Sequence, residues 1–324
     1  MNDKDRDRCS DEAGPVATKN FKRGIGLKGC MALLCGILFL LSSTHSLKAQ
    51  SFATGKLRGL SLTVGVGVLS PDNSHANFYN GKPDNVNTLM RILHSETYGN
   101  QIWNNLTTQD LIGDAVSNYN QITVAEYGDM YYRLAFQLGM GLRYDFELSK
   151  WAWKLNFDYA NLKAVGMVLL NSGKGAAYLT NQNRYVNCPA MGSERRIYID
   201  LGLIRKFKLR NGLDFEVAFG GNVNNTKVES SDIEIGGVSY SILDVWGGQS
   251  PSSYVQDYGY VNQGGIGYGG WASVAFGFTL PAGTAMTLSY TFHYNKVNLW
   301  RYETFAPHHA IRLNVALNNF SFWE

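Results

Sequence analysis

Two groups of residues could do chemistry, and the first is nucleophilic. In "MTLSYTFHYNKV" (286–297), His293 shares alternate positions with Ser289 and Thr291, and His308 and His309 precede a later apolar run. Hydrolysis by such groups needs a nucleophile within hydrogen-bond reach of its base. No spacing here forms a hydrolase motif, so these residues are expected to be structural and no catalytic residue is assigned. No Cys/His cluster points to a metal. "GGIGYGG" (264–270) has the glycines of a phosphate-binding loop, but no helix follows it. Its glycines are read as relieving crowding within a strand, and no cofactor is expected. The second group is ionic. Arg133, Arg143, Asp145, Glu147, Lys154, Asp158, Arg196, Asp200, Lys206, Lys208, Asp214, Glu216 and Arg312, with His293, fall on one side of alternating segments. Both signs mix at each level, as expected of a paired polar core rather than an ion path.

The elements that position these charges are strands. In "YYRLAFQLGMGLRYDFELSK" (131–150) the even positions from Tyr132 to Leu148 are aromatic or aliphatic, and the odd positions from Arg133 to Glu147 are polar or tiny. Successive strand residues point to opposite faces. The segment is therefore expected to be one unbroken strand, with Tyr132 on the apolar face and Arg133 on the polar one. The same alternation recurs at 57–69, 151–168, 196–209, 213–223, 268–280, 286–297 and 309–323, giving eight strands. "LSKW", "KLRNGL" with its Asn211-Gly212 hairpin signal, and "LPAGT" are tight turns. The connections at 70–128, 170–194, 229–262 and 297–306 are long.

An even strand number, short turns on one side and long loops on the other predict an all-β fold: a closed antiparallel transmembrane β-barrel. Its apolar face meets lipid, where only closure satisfies every strand hydrogen bond. The small and charged face then fills a narrow interior. Trp151, Trp153, Tyr144, Phe207, Phe215, Phe320, Phe322 and Trp323 are expected as an aromatic girdle on the short-turn side.

Lys19, Lys22, Arg23 and Lys28 precede "CMALLCGILFLLSS", whose apolar run is as long as a signal-peptide core and too short to span a membrane. Cleavage is expected after Ala49, leaving 1–49 as extension and signal peptide and 50–324 as the barrel domain. Residues 1–49 hold eight of the 29 basic and five of the 26 acidic residues, so the remainder carries 21 of each. The basic excess thus belongs to the leader, and no nucleic-acid partner is expected. Only Cys188 remains after cleavage, which excludes an internal disulfide framework. Mean hydropathy is −0.18, and without a clean apolar run of about 20 residues a helical membrane protein is excluded.

With these strands and the aromatic final segment "NVALNNFSFWE", the chain resembles the OmpA/OmpX-type small barrels of Gram-negative outer membranes, over residues 57 to 323. Its "AQ" cleavage end and Tyr/Asn-rich loops resemble those of Bacteroidetes proteins. The resemblance implies an outer-membrane location, contact with outer-membrane lipid and lipopolysaccharide, and insertion by the barrel-assembly machinery. It also implies a non-enzymatic, structural or surface-binding role with a filled interior. A lipid-modifying hydrolase and a narrow gated channel are the alternatives. Glu324 departs from the usual terminal aromatic, and no periplasmic domain is expected after the eighth strand.

The first loop is much longer than ordinary connections, and such length usually carries function. Val86, Leu89, Met90 and Leu93 recur at helical spacing after Asp84, and Leu111, Ile112, Ala115 and Val116 do so after Thr107 and Thr108. These helices are expected to form a lid, with Leu89, Leu93, Trp103, Leu106 and Leu111 packed on one another and on the barrel rim. The sharper alternative joins Trp103 to Tyr254, Tyr258 and Tyr260 of the third loop, as a recognition surface for a surface protein or glycan. "DIEIGGVSYSIL" (232–243) reads as an external hairpin around Gly236-Gly237, or as two further barrel strands.

Overall fold

The alternating segments form strands in the computed structural model, which describes residues 59–146, 149–174, 184–210, 213–243, 263–280, 284–300 and 302–317. The strands are β1 (Leu60–Ser70), β2 (Val124–Tyr127), β3 (Tyr131–Tyr132), β4 (Ala135–Asp145), β5 (Trp151–Asn171), β6 (Tyr185–Arg210), β7 (Leu213–Ile235), β8 (Val238–Ser241), β9 (Ile266–Thr279), β10 (Ala285–Lys296) and β11 (Phe305–Leu317). The signal-peptide segment, Glu147, Asn211-Gly212, Tyr254, Tyr258, Tyr260 and the end after Leu317 lie outside the described residues.

Eight strands close a ring. Antiparallel pairing runs β1–β4–β5–β6–β7–β9–β10–β11 and returns to β1 from Leu62↔Leu317 to Ser70↔His309. The other three strands are appendages on the long-connection side. β2 and β3 pair with β5, and β8 pairs with β7 through a hairpin whose Gly236 and Gly237 both have positive φ. Two adjacent left-handed residues suit a tight hairpin turn, and glycine takes that conformation without strain. The barrel therefore has eight strands rather than ten.

The faces sort by solvent. Leu201, Phe219, Phe276, Leu288 and Ile311 are exposed on the outside, while Asn156, Asp158, Asp200, Ser273 and Ser289 are buried. A water-soluble barrel would reverse this, so the outer face is built for lipid. Arg205, a cation within that face, lies 4.9 Å from the Trp151 ring and 5.9 Å from that of Phe207. Its stem can cover apolar surface while the head reaches the aromatic border.

Two expectations about extent fail. β5, β6 and β7 have 21, 26 and 23 residues, against 11 to 14 in the other five barrel strands. About 10 residues cross a membrane, so these three rise as a tall wall. The loop expected at 170–194 shrinks to 172–184, and β7 continues to Ile235. Pairing persists because the first loop covers the inner side of the wall: Leu162, Leu170, Val186, Cys188, Ile233 and Ile235 are buried in one cluster with Leu89, Leu93, Ile102 and Leu106.

The segment 131–145 is also not one strand. Pairing passes from Tyr132↔Ala164 to Gln137↔Ala160, so five steps on one strand face four on the other. The extra residue is a β-bulge at Arg133 and Leu134, which inverts side-chain phase. Tyr132 is consequently buried rather than outward, and Arg133 is exposed rather than inside the barrel.

In the first loop, a 3-10 turn (Asn73–Tyr79) is followed by the short helix α1 (Met90–Leu93) and by α2 (Glu96–Thr108). The Ser95 hydroxyl caps α2 by accepting from the Tyr98 N–H. Residues 111–116, expected to be helical, are irregular; the helix precedes them and ends before Asp110, which has φ 52°. No helix among the described residues is long and apolar enough to cross a membrane.

Candidate functional site

The barrel interior holds three tiers of polar groups, each placed by strand parity. Nearest the tight turns, Arg143 grips Glu216 with two hydrogen bonds, of 2.6 and 3.2 Å. Its Nε also donates to Asp145 at 3.2 Å, and the Lys206 Nζ lies 2.5 Å from the same carboxylate oxygen. Asp214 is half-buried at this end, in register with Lys208.

In the middle tier Arg312 donates to Asp158 at 2.6 Å. His293 Nε2 lies 3.1 Å from one Asp200 oxygen, and the Asn222 amide donates to the other. Lys154 Nζ stands 4.8 Å over the Trp271 ring. Glycine makes room for the tier: a Cβ at Gly139 would run into the Asp158 carboxylate and the Arg312 guanidinium. A cavity of about 40 Å³, lined by Arg143, Lys154, Glu216, Ser289 and neighbours, separates the two tiers. It holds a few waters at most.

The upper tier joins barrel to loop. Arg196 and Glu194 form a fully buried pair, with Nε donating to Oε1 at 2.6 Å. From the 3-10 turn Tyr79 donates its hydroxyl to the other Glu194 oxygen at 2.7 Å, and Arg196 donates to the Tyr132 hydroxyl at 3.2 Å. The Tyr79 ring occupies the space that a side chain at Gly192 would need. Beside it the His75 and His308 rings stack 5.7 Å apart. His75 Nε2 faces the Thr304 carbonyl oxygen at 3.1 Å, and the Asp72 N–H donates to His308 Nδ1 at 3.2 Å. Burial, helped by the nearby Arg196 charge, lowers the His75 pKa to about 4. Burial and the adjacent Glu194 carboxylate push the Tyr79 phenol well up. Near neutral pH this tier therefore carries one ion pair among neutral rings.

Sequence parity brings together Arg143, Asp145, Lys154, Asp158, Arg196, Asp200, Lys206, Glu216, His293 and Arg312. It misses Glu194, which shares the parity of Arg196 and Asp200 but lies just beyond the expected strand. Tyr79, His75 and His308 carry no local signal, because their partners are distant in the chain. Trp103 is half-buried, and its Nε1–H donates to the Val116 carbonyl at 3.1 Å, so it braces the loop from within.

A closed eight-stranded barrel with an apolar belt outside and paired polar groups inside is a transmembrane β-barrel. No protein-family model matches the chain, and no curated protein does. Among solved structures it is similar to Neisserial surface protein A, at 7% identity and a TM-score of 0.37, covering 81% of this chain and 97% of that one. It is also similar to the attachment invasion locus protein Ail of Yersinia pestis. The form bound to the heparin analogue sucrose octasulfate gives 9% identity, a TM-score of 0.31 and coverage of 79% and 96%. A second structure of Ail gives 8% identity, a TM-score of 0.29 and coverage of 80% and 95%. The likeness is loose, and the barrel rests on this chain's own pairings and exposure.

Proposed function

We propose that the chain is a non-catalytic outer-membrane barrel of a Gram-negative bacterium, filled inside, capped by its first loop, and acting structurally or by surface binding through its tall wall and loops. The observation that carries this is the buried upper tier, where Tyr79 and His75 fill the mouth and engage Glu194 and the Thr304 carbonyl. A diffusion pore would need that space. Ser289, the hydroxyl on the same strand face as His293, donates its Oγ–H to the Arg312 carbonyl at 3.3 Å and not to an imidazole. A surface protein or glycan would meet the protein at the loop surface, where Tyr98 is 52% exposed.

Heat-modifiable migration of the purified protein tests the barrel. Planar bilayers test the filling: little steady conductance is expected, and large stable openings would overturn it. Incubation with lipopolysaccharide and phospholipid should leave their acyl chains intact. Acyl release abolished by His293→Ala would establish the hydrolase instead.

A further inference from the structure

The outer face of the tall wall changes chemistry at one level. Phe157 and Tyr159 on β5, Ile197 and Ile199 on β6, and Val223 on β7 are exposed and apolar. The next outward positions toward the long connections are Asn161 and Lys163, then Arg195, then Asn225 and Lys227, all exposed. The inner face changes close to the same level. On β5 buried Asp158 gives way to Ala160, Leu162 and Ala164. Two faces that exchange character together mark where the wall leaves lipid.

Four cations gather at that border. Register sets Arg195 opposite Lys227, and Asn161 on the other side. The bulge brings in a fourth strand, since the exposed Arg133 donates its N–H to the Lys163 carbonyl at 2.9 Å. Adjacent strands lie about 4.8 Å apart, so the cations form a continuous row. Glu229 pairs with Arg195. On the opposite side of the barrel the border is aromatic, with Tyr268 and Tyr294 packed on Phe305 at 5.8 and 5.5 Å. A cation there, Lys296, is paired with Glu303 at 2.8 Å.

We propose that the row of Arg133, Lys163, Arg195 and Lys227 binds the phosphates of a phosphorylated glycolipid in the leaflet on the long-connection side, with the acyl chains lying against the belt below. This rests on the outer-membrane reading. Charge complementarity and continuity with the lipid-facing belt select this ligand, because acyl chains held against the belt bring their headgroup to the height of the row.

The test is native mass spectrometry of the folded protein in detergent, titrated with lipid A, with dephosphorylated lipid A of the same acyl chains, and with phosphatidylglycerol. Wild type should retain lipid A at least about tenfold better than the dephosphorylated form. The variant Arg133→Gln/Lys163→Gln/Lys227→Gln should lose that preference, whereas Lys150→Gln/Lys208→Gln on the short-turn side should keep it. Equal retention of the two lipid A forms by wild type, an unchanged preference in the triple variant, or stronger retention of phosphatidylglycerol would each overturn the assignment. Heat-modifiable migration of the same samples separates the failures. A wild type that never folds in detergent sinks the outer-membrane reading, while one that folds but does not discriminate sinks only the lipid site.

Discussion

The lower barrel and the tall wall fill the same tube with opposite chemistry. Along β5 the inward residues Lys154, Asn156 and Asp158 are polar and the outward Phe157 and Tyr159 are apolar. Beyond Ala160 the inward Leu162, Val168 and Leu170 are apolar and buried, and the outward Asn161 and Lys163 are exposed and polar. The strand does not change, but the medium outside it does. Where lipid takes up the apolar side chains, the interior must be polar and internally paired. Where water returns, the first loop supplies a conventional apolar core against the inner side of the wall. The buried Glu194–Arg196 pair sits between the two regimes.

That junction gives the largest expected effect. Glu194→Leu leaves Arg196 buried without its carboxylate, which should cost about 3–5 kcal/mol. Proteolysis should then cut within residues 73–123, while the barrel keeps its heat-modifiable migration. Removing both charges with Glu194→Leu/Arg196→Met should recover most of the loss. Loss of the whole barrel would show that the two regions are not separable.

The outer face sharpens the comparison next. Leu201→Lys places a charge in the belt and should cost about 2–4 kcal/mol in urea unfolding from vesicles. Met191→Lys, on the same face of the same strand but above the cation row, should cost under about 0.5 kcal/mol. Equal costs would mean that the inversion does not mark the lipid border.

The loop should also respond to pH. His75 is held neutral in the docked state, with a pKa of about 4 against an ordinary 6.5. The undocked loop therefore binds more protons between these values, so docking is fully favoured above pH 6.5 and weakens as pH falls toward 4. The full depth is roughly 3 kcal/mol. Hydrogen exchange in residues 73–80 should rise over that window, and His75→Gln should flatten the response. The docking of the turn is probed last by Gly192→Ala, where the added methyl collides with the Tyr79 ring. It should cost about 1–3 kcal/mol, read as weaker protection of the 3-10 turn.

The spanning portions were legible because lipid imposes alternation on every crossing residue, so Leu201 and Asp200 announce their faces without reference to partners. The bulge was not legible. Tyr132 suits either face, and one inserted residue leaves Arg133 looking like the start of an inward series when it faces out. The upper ten or so residues of β6 and β7 did not read as barrel strand, because their apolar inner positions are covered by α1 and α2 from a distant part of the chain.

By itself the sequence determined the closed antiparallel barrel, the side on which its long connections fall, and the charged character of its interior. These follow from local period and turn chemistry, which each strand carries alone. Tertiary structure decided which charge meets which, that Tyr79 rather than water completes Glu194, and that four cations from separate strands form one row. Such choices depend on register and on closure of the ring, and those exist only once distant segments have paired.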